Sequence, residues 1–420
     1  MRSRFTGLWH HPDFVRLWAG ETISIFGSLI GGLALSFTAI LWLDANPLQI
    51  SILAGAQLVP GFVVGLVAGV WVDRLKRRPI MIVADIGRFV ALATIPVAAL
   101  FDVLTIWHLY AVALTASTLT VFFDVAYQSY LPTLVAREEL VEGNAKLTAS
   151  ASVAEVGSFS LSGWLVQLLS GPGAILIDAV SFLGSAFFVW RIRTEEPPPA
   201  PEHERAGVWR EAKAGLGFVL CEPVVRSLAF ANAFSVCGRG ILGVVFLLYL
   251  NKEVGFEPGV LGMIFAVGGV TSLAGSFMAG RADLFGGIGP AMVLAAAVRA
   301  LGMLFMPLAS SVSLVGAGLL VANQCVTDPA WAFYDINDVS LRQAVTPHEV
   351  QGRMFASCRF IEFGAMLLGT AIGGLLGEFI GLRETLFVAV GLSGVSAVWL
   401  GFSPVAKLTG MPEAEAVNVG

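Results

Sequence analysis

This sequence is poor in charge. Only 13% of its 420 residues are Asp, Glu, Lys or Arg, against 56% hydrophobic, whereas a water-soluble domain carries about 25% charged residues. A mean hydropathy of +0.80 excludes a soluble globular protein of this length, and the solvent for most of the chain is lipid. The formal net charge of -5 therefore argues neither for nor against an acidic or nucleic-acid partner, and none is expected. Cysteine is sparser still: Cys221, Cys237, Cys325 and Cys358 stand singly in or near apolar segments, which excludes a disulfide framework and a thiolate metal site. The five histidines (His10, His11, His108, His203, His348) avoid the middle of every apolar run, which excludes a histidine proton relay. No G-x-x-x-x-G-K-[ST] occurs, so ATP is not the expected energy source. With no nucleophile–base pair and no metal cluster, an enzyme is not expected, and neither is a cofactor. The opening MRSRFTGLWHHPDFVRLW lacks a short apolar core with a small-residue cleavage site, and reads as the lead-in to an uncleaved first helix.

What is present is a series of long apolar runs. A hydrocarbon core of about 30 Å takes ~20 residues of helix, and that ruler gives twelve transmembrane spans. The first six run near Phe14–Leu43, Gln49–Val72, Ile80–Phe101, Ile106–Tyr127, Ala145–Leu169 and Gly173–Trp190. The second six run near Ser227–Leu250, Gly259–Gly280, Pro290–Leu308, Val312–Tyr334, Met354–Gly377 and Thr385–Phe402. Between the halves, RIRTEEPPPAPEHERAG cannot cross lipid and reads as a linker, followed over Val208–Val219 by a short helix lying on the membrane surface. The expected organisation is an N-terminal six-helix bundle (1–194), a cytoplasmic linker with its surface helix (195–225), a C-terminal six-helix bundle (226–403) and a tail (404–420). With both termini inside, eighteen of the 25 basic residues fall on the cytoplasmic side, five lie within spans, and Lys252 and Arg383 fall outside. The positive-inside rule therefore predicts an even number of spans, cytoplasmic termini and a cytoplasmic or inner membrane location.

The two halves repeat one another. Arg88 and Pro96 recur as Arg299 and Pro307, Phe123-Asp124 as Tyr334-Asp335, and Ser24-Ile-Phe-Gly27 as Ser235-Val-Cys-Gly238, each displaced by 211 residues. ASASVAEVG (149–157) answers ASCRFIEFG (356–364) at 207, a shift that a loop of different length produces. Six spans followed by six in the same orientation predict an all-α membrane fold of two parallel-repeat bundles with a cavity where they meet.

The segment GVWVDRLKRRP (69–79), between the second and third spans, carries Gly69, Asp73, Arg74, Arg77 and Arg78 in a G-x-x-x-D-R-x-x-R-R spacing. In that pattern and place it resembles the signature of the major facilitator superfamily. DVAYQSYLPTLVAREELVEGNA, LIDAVSFL, DVSLRQAVTPHEVQGRMFA and GGLLGEFIGLR further resemble the bacterial branch of enterobactin exporters and macrolide efflux proteins. The resemblance implies a secondary transporter exporting a small amphipathic molecule, siderophore- or drug-like, by alternating access and proton antiport, and working as a monomer. A lipid or lysolipid flippase, or an uncoupled facilitator, is the alternative on the same fold. Two departures stand out: Gly157-Ser158 where that branch commonly has Gly-Pro, and a second loop, GRADLFGGIGP, without the paired arginines.

Charged groups near mid-bilayer cost ~2.5 to 3.5 kcal/mol each on insertion scales, so they persist facing a partner or a wet cavity. Glu155 and Glu362, at equivalent depths of the fifth and eleventh spans, are the proton-coupling candidates. Arg239, Glu21, Asp328, Trp331 and Tyr334 are the substrate-binding candidates. The cytoplasmic gate is expected to comprise Gly69, Asp73, Arg74, Arg77 and Arg78, extended inward by Asp85, Arg88 and Asp124. Within it, Asp73 faces the positive start of a helix, which the resemblance makes the eleventh span near Arg353. The arginines pair with Asp85, Asp124 or loop acids. Arg299 and Asp335 read as a structural mirror of Arg88 and Asp124. The expected partners are a small-molecule substrate, protons and the lipid bilayer.

Overall fold

A computed structural model describes residues 7–65, 71–72, 75–136, 139–194, 196 and 208–412. Gly69, Asp73 and Arg74 of the basic signature lie outside the described residues. The described chain is helical with no strand: α1 (Pro12–Phe37), α2 (Pro47–Val63), α3 (Arg77–Leu100), α4 (Ile106–Leu134), α5 (Leu140–Trp190), α6 (Val208–Cys221), α7 (Pro223–Leu248), α8 (Pro258–Met278), α9 (Ile288–Met303), α10 (Leu314–Val345), α11 (His348–Phe379) and α12 (Leu382–Gly401). Nine helices among the described residues are long and apolar enough to cross a membrane. Large side chains such as Leu314, Phe277 and Phe402 are more than four-fifths exposed, as lipid-facing residues are.

α5 accounts for the fifth and sixth spans in one piece. It breaks at Ser170, whose φ of 67° and ψ of 167° lie outside the helical region, just before Gly171 and Pro172. Proline removes an i→i−4 hydrogen bond, and the left-handed φ at a serine turns the chain. A β-carbon on Gly171 would collide with Thr38 at the end of α1, so the glycine permits the close approach. The tenth span is longer than the expected Val312–Tyr334, because α10 continues through charged residues to Val345. Two of those charges, Asp338 and Arg342, find partners inside the protein, which apolarity along the sequence does not reveal.

Contacts group the chain into two units, Met1–Glu202 with Glu257–Ala266, and His203–Phe256 with Val267–Gly420. In the first, α1 packs on α5, α3 on α4 and α5, and α2 on α4. In the second, α7 packs on α11 and α12, α9 on α10 and α12, and α6 on the start of α11. The α7–α11 contact is close because it is lined by glycine: Gly240 faces Met366 and Gly369, and Gly369 and Gly373 face Cys237 and Ile241. Gly369 and Gly373 form a G-x-x-x-G pair, the small-residue device that lets membrane helices approach backbone to backbone.

The 211-residue displacement reaches the backbone. α1 runs into a π-helical turn beginning at Thr38, and α7 into one beginning at Tyr249. Each turn is followed by a left-handed residue, Asp44 (φ 50°) and Gly255 (φ 93°), again 211 apart. The start of α3 follows the same rule. The backbone N–H groups of Arg77 and Arg78 donate to the Glu196 carboxylate at 2.6 and 2.7 Å, just past the end of α5. The Arg78 counterpart, Gly289, donates its N–H at 2.9 Å to the carbonyl of Leu408, past the end of α12. Both bundles thus cap the first turn of their third helix from the segment after their last one, satisfying donors that a helix N-terminus leaves open.

Candidate functional site

In the second unit, α7, α9, α10 and α11 enclose a cavity of about 430 Å³ lined by four arginines (Arg239, Arg299, Arg342, Arg359) and three acids (Asp335, Asp338, Glu362), with Asn232, Trp331 and Tyr334 among them. Its volume falls in the range of small-molecule sites. Arg342 and Asp338 are one helical turn apart on α10 and pair at 3.2 Å, while Arg342 Nη2 reaches Glu362 of α11 at 3.3 Å. Asn232 of α7 completes the set. Its amide donates to Asp338 at 3.1 Å and to Glu362 at 3.4 Å, and its oxygen accepts from the Tyr334 hydroxyl at 3.0 Å. Asp338 and Arg342 are 3% exposed, whereas the Glu362 side chain is 27% exposed toward the cavity. Asp338 Oδ1 and Arg342 Nε make no hydrogen bond, so the network is only partly satisfied, and low local polarity makes each of its remaining bonds costly to break.

Of the residues singled out from sequence, Arg239, Trp331, Tyr334 and Glu362 therefore share one cavity. Asp328 does not line it. Its carboxylate lies against Gly268 of α8, where a β-carbon would overlap it. Glu155 belongs to the other unit, exposed on the first arm of α5. Glu21 is also in the first unit, within electrostatic range of Asp124, Arg88 and Asp85. Arg88 pairs with Asp85 one turn earlier, and its guanidinium is stacked 4.4 Å from the Phe123 ring and 4.1 Å from the Phe182 ring. Arg78 binds neither Asp85 nor Asp124. It donates through Nε to the carbonyl of Val189 at 3.2 Å and through Nη2 to that of Trp190, at the open C-terminal end of α5. Asp85 is seven residues deeper in α3, ~10 Å along the axis, while those helix-terminal carbonyls are nearby and favour a cation.

Sequence reasoning passed over Asn232, Asp338 and Arg342. A signal existed for all three: Asp338 and Arg342 stand four apart, and Asn232 is the 211-displaced counterpart of Glu21.

This arrangement, buried charge around a cavity in one of two repeated helical units, finds its context among known proteins. The family model described as transmembrane secretion effector, MFS_3, matches residues 3–416. The chain belongs to that family of major facilitator transporters. It is a multi-pass membrane transporter, not an enzyme. The transporter is 26% identical to the multidrug efflux pump Tap of Mycolicibacterium fortuitum, over 90% of this chain and 94% of Tap. It is 24% identical to macrolide efflux protein A of Streptococcus pyogenes, over 88% of this chain and 91% of that one. The uncharacterized MFS-type transporter YfiS of Bacillus subtilis is 25% identical over 90% of both chains. Among solved structures, a bacterial homologue of the iron transporter ferroportin in its inward-facing state superposes with a TM-score of 0.74 at 17% identity, covering 92% of this chain and 97% of that one. The nucleoside transporter NupG gives a TM-score of 0.72 at 15% identity, over 93% of this chain and 98% of that one. Both likenesses speak to the fold alone.

Proposed function

We propose that the transporter exports a small amphipathic molecule across the cytoplasmic membrane in exchange for protons, with Glu362 as a proton-carrying group and Glu155 as its counterpart in the first unit. The observation that carries this reading is the sharing of Arg342. That arginine pairs with both Asp338 and Glu362, so protonating Glu362 leaves it still paired with Asp338. Of the two acids, Glu362 is also the one open to the cavity. Loading a proton there removes one negative charge without stranding a buried cation, and so couples cavity charge to proton binding at small cost. The efflux relatives support the direction of transport, and the basic bias of the loops supports cytoplasmic termini. The charged start of α3, held to the end of α5 by Arg78 and Glu196, is the proposed closing element on the cytoplasmic side. A monomer suffices for this cycle.

The test is substrate-dependent proton flux in proteoliposomes across a panel of amphipathic compounds. Glu362→Gln is expected to lower that flux by about tenfold or more while leaving substrate binding within about threefold, since only the charge is removed. Proton-driven transport surviving both Glu155→Gln and Glu362→Gln would end the coupling assignment.

A further inference from the structure

We infer that the cavity of the second unit is an anion site: Arg299, with Arg239, receives a carboxylate or phosphate group of the cargo, whose apolar body rests on Trp331 and Tyr334. The inference rests on the reading of this cavity as the cargo site and names the class of molecule it takes.

The argument starts from Arg299. It is 7% exposed and lines the cavity, yet its Nε and Nη2 have no hydrogen-bond partner. Among the described residues no carboxylate pairs with it. Its guanidinium carbon lies 5.4 Å from the centre of the Tyr334 ring, a ring whose hydroxyl is tied to Asn232. An arginine keeps its charge under any condition a cell offers, so it cannot escape burial by losing a proton. A buried cation with unfilled donors is costly unless an anion arrives to fill them.

The repeat shows that the missing carboxylate is specific to the second unit, although a buried Nε without a hydrogen-bond partner is common to Arg88 and Arg299. In the first, the equivalent Arg88 has Asp85 three residues before it as its ion-pair partner. At the matching position before Arg299 stands Ala296. The second unit keeps the arginine and omits its acid. Nor do the cavity's own acids fill the gap. Asp338 and Glu362 are already engaged by Arg342 and Asn232, and Asp335 stands near Arg239 and Arg299 without an ion pair to either. Planar, bidentate donors are what carboxylates and phosphates bind best. Arg239, on the cavity side of α7, supplies the second cation.

The test uses the full chain in nanodiscs of zwitterionic phosphatidylcholine and a pair of probes equal in size and aromaticity, 1-naphthoate and its neutral amide, with binding read by calorimetry. Naphthoate is expected to bind about tenfold tighter than naphthamide, the margin of one charge-assisted pair. Arg299→Gln is expected to erase that preference while leaving naphthamide affinity unchanged, and Arg299→Lys, which keeps the charge, to retain part of it. Arg239→Gln is expected to weaken naphthoate severalfold. Equal affinity for the two probes, absence of naphthoate binding, or an undiminished preference in Arg299→Gln overturns the anion site. Competition separates two sources of the same chemistry. Displacement of naphthoate by lysophosphatidylglycerol but not by lysophosphatidylcholine upholds the site as one for a lipid head group, and displacement by neither upholds it as one for a soluble organic acid. A naphthoate preference alongside full proton flux in both Glu155→Gln and Glu362→Gln keeps this inference and ends the coupling role, while the converse pair of results does the opposite.

Discussion

Arg88 and Arg299 hold the same place in the two repeats, 211 residues apart, and are both buried. Their surroundings differ in kind. Arg88 is ion-paired: Asp85 beside it is fully buried, two aromatic rings stack on it, and Thr120 lies at 3.4 Å, with its Nε alone left without a hydrogen-bond partner. Arg299 lines a cavity, has no carboxylate partner among the described residues, and leaves two buried donors, Nε and Nη2, unfilled. A duplicated framework has thus put one arginine to structural use and left the other available for binding. The same division appears at the start of the third helix of each unit, where the first uses a carboxylate, Glu196, and the second a neutral carbonyl, that of Leu408.

The contrast between the two arginines is open to direct attack. Arg88→Met strands Asp85 without a partner and is expected to cost about 3–5 kcal/mol, seen as a large fall in melting temperature in mild detergent. Arg299→Met strands no hydrogen-bonded acid and is expected to change stability by less than about 1 kcal/mol. Equal losses would show that Arg299 has an internal partner after all. The converse swap is Ala296→Asp, which places an acid before Arg299 at the Asp85–Arg88 spacing. It is expected to abolish the preference for naphthoate over naphthamide, about tenfold, while naphthamide still binds. A preference that survives would break the parallel. Glu196→Gln, which weakens the cap on α3, is expected to cost about 1 kcal/mol in the same melting assay. A larger loss would mean that the basic end of α3 depends on Glu196 for more than capping.

The smallest effect is expected where charge lies outside the membrane. Glu142 accepts from Lys146 at 3.0 Å and from the N–H of Leu8 at 3.1 Å, and these partners hold its carboxyl below the ordinary carboxylate range. Because the folded state lowers this affinity for protons, its contribution is present at neutral pH and fades on acidification through that range. Glu142→Gln and the parent are therefore expected to differ slightly at neutral pH and to converge in acid, as melting curves against pH would show. A difference that grows in acid would reverse the sign of this argument.

Much of the fold was legible along the chain. The boundary between the expected fifth and sixth spans, Leu169 to Gly173, falls on the break at Ser170. Gly-Pro and the end of an apolar run signal such a break together. The lower end of α10 was not legible, because Asp338 and Arg342 look like loop charge until their partners on α7 and α11 are known. At the site, Arg239, Trp331, Tyr334 and Glu362 were visible as charged or aromatic residues out of place in lipid. Arg299 was visible too, but as a structural mirror of Arg88. The missing acid at Ala296 becomes meaningful only once Arg88 is seen paired to Asp85.

By itself the sequence determined the solvent, the rods and the repeat, because each is a one-dimensional property: apolar runs have lengths, glycines and prolines have positions, and a duplication has a displacement. The tertiary structure alone decided which charges meet. Asn232, Asp338, Arg342 and Glu362 come from three helices, and their contact depends on how each helix is turned about its axis. Helical periodicity gives the spacing of side chains around a helix, but packing, here through Gly240, Gly369 and Gly373, sets the rotation that brings one face to the cavity.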